Sequence, residues 1–123
     1  MAQKTILVVE DNVIVAMELQ ARLVQAGYLV TGIAATGDAA IQQALDRRPD
    51  LLLMDITLKG SMDGIEAVTR IQEDYSPAVI YVTAYANESV RNRAMATHPA
   101  AYLTKPFEPG DLLRAVAKAL EKE

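Results

Sequence analysis

The sequence predicts an α/β fold, a doubly wound five-stranded parallel sheet of (βα)5 type with helices on both faces. Three observations carry that expectation. Short apolar runs alternate with segments of helical period, five times over. Three of the runs, Ile6-Leu7-Val8-Val9, Leu51-Leu52-Leu53-Met54 and Val79-Ile80-Tyr81-Val82, are continuous, as strands buried on both faces require. No linker, low-complexity tract or internal repeat interrupts the 123 residues, so 1–123 reads as one domain with one core.

The elements follow in order. The first strand runs into the acidic pair Glu10-Asp11. In the first helix Ala16, Leu19, Leu23 and Ala26 share a face, with Asn12 to cap its start and Gly27 to end it. "YLVTGIA" (28–34) is mixed in character and suits an edge strand. The second helix carries Ala40, Ile41, Ala44 and Leu45 between Thr36 and Pro49. The third strand delivers Asp55, and the third helix carries Ile65, Val68 and Ile71 behind an Asp63/Glu66 capping box. The fourth strand ends at Thr83, and the fourth helix, roughly 88–96, has a thin stripe of Val90 and Ala94. "AAYLT" (100–104) is the second edge strand. Leu113, Val116, Ala117 and Leu120 face inward from the fifth helix, with Pro109 in its first turn.

Composition narrows the function. Hydrophobic residues are 51% and charged residues 23%, as in a globular soluble domain. A net charge of −4, from 12 basic and 16 acidic side chains, argues against nucleic-acid binding by this domain. The absence of cysteine excludes disulfides, thiolate metal sites and cysteine nucleophiles. No apolar run approaches the roughly 20 residues that span a bilayer. The first residues do not resemble a signal peptide, so the expectation is a cytoplasmic protein that does not engage membrane.

In open α/β sheets, ligands bind beyond the carboxyl ends of the strands. Those ends supply Glu10 and Asp11, Asp55, Thr83 and Lys105, while the second strand ends blandly at Ala34-Ala35. Carboxylates sharing a cleft repel, by about 4 kcal/mol for a pair ~4 Å apart at an effective dielectric near 20. Either their pKa values rise or a cation joins them. Oxygen ligands without His or Cys suit a hard ion such as Mg²⁺, which takes one or two carboxylates and bridges to phosphate. A lysine and a hydroxyl opposite suit phosphoryl oxygens, and aspartate is a known phosphoryl acceptor.

Together "VVEDN", "LLLMD", "VTAY" and "YLTKPF" resemble the receiver domain of two-component response regulators, the chemotaxis type included, over residues 4 to about 122. The resemblance implies the flavodoxin-like strand order 2-1-3-4-5. It implies a phosphorelay signalling switch in which Asp55 forms an aspartyl phosphate, taking the group from a histidine kinase or phosphotransfer protein. It further implies a Mg²⁺ cofactor held by Glu10, Asp11, Asp55 and the backbone carbonyl of Thr57, with Thr83 and Lys105 on the phosphoryl oxygens. Thr83 and Tyr102 match the family's switch pair, acting through helix four, strand five and helix five on a downstream protein or output domain. Such a protein is not an enzyme toward other substrates; its chemistry is its own phosphorylation and dephosphorylation, as a monomer or weak homodimer. A cis Lys105-Pro106 bond is also implied.

The segment "DITLKGSMDG" departs from the family. It carries Lys59 and Gly60 where a proline is common, and it is one residue longer. Tyr85, two residues after Thr83, is bulky enough to shield the site from water. Taken singly, the residues have plainer readings: Glu10-Asp11 and Asp55 as caps, Thr83 as a strand-end threonine, Lys105 as an exposed turn, Tyr102 as an edge aromatic. His98 has no assigned role, and Arg91 and Arg93 read as a solvated helix face. A flavin binder would need a hydroxyl- and glycine-rich loop where Glu10 and Asp11 stand. An aspartyl-nucleophile phosphatase usually carries a second Asp at position 57, which is Thr here, and no P-loop motif is present.

Overall fold

Five parallel strands alternate with five helices along the chain, and the computed structural model describes residues 3–84 and 87–121 of it. The elements are β1 (Thr5–Val9), α1 (Val13–Gln25), β2 (Leu29–Ala34), α2 (Gly37–Arg47), β3 (Leu51–Asp55), α3 (Gly64–Gln72), β4 (Ala78–Thr83), α4 (Glu88–Met95), β5 (Ala101–Thr104) and α5 (Pro109–Leu120). The strand order is β2-β1-β3-β4-β5, which puts the two mixed segments at the edges and the continuous apolar runs inside.

Side chains alternate across a strand, so each buried run feeds two cores rather than one. Ile6, Val8, Leu51, Leu53, Ile80 and Val82 point to the face covered by α1 and α5, where Leu19, Leu23, Leu112 and Val116 meet them. Leu7, Val9, Leu52, Met54, Val79 and Tyr81 point to the opposite face, against Ala40, Ala44, Ile65, Val68 and Ile71. All five residues of β3 are buried, its terminal aspartate included.

Three helix phases differ from the expectation. In α5 it is Leu112, not Ala117, that joins Val116 in the core; Ala117 is exposed and Leu113 half-buried. Leu45 of α2 is 40% exposed, and Ala26 caps α1 on the surface. The α3 capping box is also changed. Asp63 caps the helix, accepting from the Glu66 N–H at 2.9 Å, but the Glu66 carboxylate pairs with Arg70 one turn on. Asn12 and Thr36 cap α1 and α2 as expected, and Gly27 (φ +100) turns the chain after α1.

The weakest attachment is that of α4, which fully buries only Ala94. Just past its end, the buried Thr97 hydroxyl donates to the Ala94 carbonyl at 2.6 Å and so accepts from the Tyr81 hydroxyl at 2.8 Å. Burial pushes the Tyr81 hydroxyl up to about 12, so it stays a donor at any working pH. Tyr81→Phe is expected to cost about 1 kcal/mol. Urea unfolding should show this as a lower midpoint with an unchanged slope.

Candidate functional site

The candidate side chains stand where the strands end. Glu10 follows β1, Asp55 closes β3, Thr83 closes β4 and Lys105 follows β5. Asp55 is only 5% exposed and Glu10 3%, although both are carboxylates; Asp11 is half-buried. Lys105 reaches back across the end of β4 and donates to Glu10 Oε1 at 2.9 Å, with Asp55 Oδ2 at 3.4 Å. Glu10 is held from the other side as well, because its Oε2 accepts from the Asn12 N–H at 3.1 Å. Asp55 Oδ1 accepts from the backbone N–H of Thr57 at 3.2 Å. The Lys105-Pro106 peptide bond is cis.

One ammonium reaches two of the three carboxylates, Glu10 and Asp55, and the electrostatics show the deficit. Burial, then the charge of Glu10, pushes the Asp55 carboxyl up from 3.8 to about 6, against the pull of Lys105 and the Thr57 N–H. For Lys105, burial pushes downward. The Glu10 hydrogen bond and the charges of Asp55 and Glu10 outweigh it and hold the ammonium above its ordinary value.

One oxygen each from Glu10, Asp11 and Asp55 lies within 4.8 Å of the others. Oxygens sharing one Mg²⁺ at bonds of ~2.1 Å stand roughly 3–4 Å apart, so small side-chain rotations suffice for a common ion. The all-oxygen, acidic donor set and the raised Asp55 pKa fit a divalent cation.

The remaining residues singled out from the sequence fall as follows. Thr83 is fully buried and pairs with Thr104 in the sheet. Tyr102 is half-buried opposite Tyr81, with ring centroids 6.3 Å apart. Thr57 is exposed and touches Asp55 through its N–H. Tyr85 lies outside the described residues, and His98 is exposed with φ +59. The two arginines are not merely solvated: Arg91 sits 5.0 Å over the Tyr102 ring, and Arg93 pairs with Asp63 at 3.0 Å.

Sequence reasoning did not single out Gly64. A Cβ there would meet the Asp55 carbonyl oxygen at 2.2 Å and Met54 Cγ at 2.9 Å. Its N–H also closes the loop onto Ile56 O at 2.8 Å. The available signal was a glycine directly after a capping aspartate, where most residues are better helix formers.

Comparison with known proteins decides the family. The family model of the response regulator receiver domain matches residues 6–117. The chain belongs to the response regulator receiver family. It is 30% identical to the chemotaxis protein CheY of Thermotoga maritima over 116 residues, covering 94% of this receiver and 96% of CheY. It is 31% identical to the transcriptional regulatory protein PdtaR of Mycobacterium tuberculosis over 119 residues, covering 97% of this receiver and 58% of PdtaR. The receiver thus spans little more than half the length of that relative. A CheY-like receiver structure from Methanospirillum hungatei superposes with a TM-score of 0.91 at 29% identity, covering 98% and 95% of the two chains. Receivers of two-component systems act in phosphorylation-dependent signalling, as switches rather than as general enzymes. Among the described residues of this receiver, no helix is long and apolar enough to cross a membrane.

Proposed function

We propose that this receiver is a switch thrown by phosphorylation of Asp55. The observation that carries the reading is the Asp55 carboxylate, buried at the end of the central strand within one cleft with Glu10, Asp11 and Lys105. The donor is a phosphohistidine of a kinase or phosphotransfer protein. An Asp55 oxygen attacks phosphorus, the P–O bond forms as the P–N bond breaks, and the leaving imidazole keeps the bonding pair and takes up a proton. Glu10, Asp11, Asp55 and the Thr57 carbonyl would hold Mg²⁺, which when bound offsets negative charge on the phosphoryl oxygens. Lys105 supplies fixed positive charge and Thr83 a hydroxyl to those same oxygens. Thr83 and Tyr102 then pass the change to the face built by α4, β5 and α5, where a downstream protein or output domain reads it. The residue at 57 is Thr, which supports chemistry confined to the receiver's own aspartate. The setting is cytoplasmic, and the working state is a monomer or weak homodimer.

Incubation with acetyl phosphate and Mg²⁺ should add one phosphoryl group, read by intact mass. EDTA should abolish the adduct, and Asp11→Asn should weaken Mg²⁺ binding and slow the reaction together. No adduct at any Mg²⁺ concentration would refute the switch, and an adduct indifferent to EDTA would refute the metal.

A further inference from the structure

We infer that Asp63 and Arg93 form a charge clamp that ties α4 to the loop running from the acceptor aspartate, and that the clamp favours the resting conformer. The inference rests on the proposed switch and assigns it a part that neither Thr83 nor Tyr102 supplies.

The loop of residues 56–63 begins directly after Asp55 and ends at Asp63, the N-cap of α3. Arg93 of α4 places Nη1 3.0 Å from Asp63 Oδ2 and Nη2 3.5 Å from Oδ1, a forked approach. Asp63 therefore does two things at once, because Oδ1 also accepts from the Glu66 N–H. Asp63 also lines a cleft of about 280 Å³ whose other walls include Ile56, Leu58, Met62 and, from α4, Val90. Elsewhere α4 has little grip, since Ala94 is its one fully buried residue.

The loop is anchored at its other flank. Lys59 forms a parallel bridge with Thr36, and Met62 lies against Gly37, whose missing Cβ would meet its sulfur at 2.9 Å. Movement of the loop is thus restrained on the α2 side and transmitted on the α4 side. A change at Asp55 reaches Asp63 through the seven residues of loop between them and reaches α4 through one ion pair. The pair is partly exposed, so its weight is that of a surface interaction, enough to bias a two-state element without locking it.

The test is a double-mutant cycle on the full chain. Asp63→Asn keeps a good N-cap while removing the charge, and Arg93→Gln removes the cation. Amide exchange across residues 88–95 should quicken about two- to fivefold in each single variant, and no further in the double variant. Salt at about 1 M should quicken the wild type by the same factor and leave the variants unchanged. Beryllofluoride with Mg²⁺, a phosphoryl mimic, should bind the variants about two- to fivefold tighter, because the resting conformer has lost its bias. Exchange unchanged in Arg93→Gln, additive effects in the double variant, or unaltered or weaker beryllofluoride binding would each overturn the clamp. If wild-type α4 does not respond to beryllofluoride, the proposed switch falls and the clamp with it. If α4 responds and the cycle shows no coupling, only the clamp falls.

Discussion

Asp55→Asn is expected to abolish phosphorylation and at the same time make the metal-free protein more stable. A carboxyl held at about 6 against an ordinary 3.8 binds its proton more tightly folded than unfolded. Below pH about 4 both states are protonated and Asp55 costs nothing. Between about 4 and 6 the unfolded chain ionises first, so stability falls as pH rises. Above pH about 6 the full penalty applies, roughly 3 kcal/mol at most. The asparagine variant has no such penalty, so it should gain about 1–3 kcal/mol at pH 7.5 and nothing near pH 3.5. Thermal unfolding of both proteins across that range is the measurement. Mg²⁺ should close much of the gap by stabilising the wild type alone. Equal melting temperatures at pH 7.5 without metal would show that the buried aspartate is not strained.

Gly64→Ala should damage both fold and chemistry, although alanine is the better helix former. The new Cβ would lie 2.2 Å from the carbonyl oxygen of Asp55 itself and 3.0 Å from its carbonyl carbon, and backbone cannot swing aside as a side chain can. We expect a loss of about 3 kcal/mol. Acetyl phosphate labelling should slow about 10- to 100-fold, because the acceptor is displaced by a fraction of an ångström or more. Gly60→Ala is the matched control. Gly60 has φ +94 but open space where a Cβ would go, so it should cost only about 1 kcal/mol of backbone strain and leave labelling near normal. Wild-type labelling in Gly64→Ala would mean that the α3 start does not position Asp55.

These two sites differ in how openly the sequence announced them. Asp55 stands at the end of an uninterrupted apolar run, and such a run has one economical reading, a strand buried on both faces. The rule that ligands gather beyond the strand ends placed Glu10, Asp11 and Lys105 at one end of the sheet, where the structure brings them together. Helix phase was harder. Leu112-Leu113 and Val116-Ala117 are adjacent apolar pairs, and only packing against the β4 and β5 side of the sheet selects Leu112 and Val116. Contacts between residues distant in sequence left no periodic trace. Arg93 to Asp63 spans 30 positions, and Arg91 over Tyr102 joins a helix to an edge strand, so both arginines read as surface charge. Gly64 showed a missing side chain but not the carbonyl that forbids one.

The reach of Lys105 to Glu10, across 95 positions of chain, has a consequence for the newborn protein. During synthesis Glu10, just past β1, and Asp55, at the end of β3, leave the ribosome long before Lys105, the cation they share. Until β5 docks, that end of the sheet carries its negative charge without the Lys105 ammonium, and the partly made chain is held back from closing there. Competence for phosphorylation is therefore expected only with the last strand, and a polypeptide interrupted before residue 105 should take no label from acetyl phosphate.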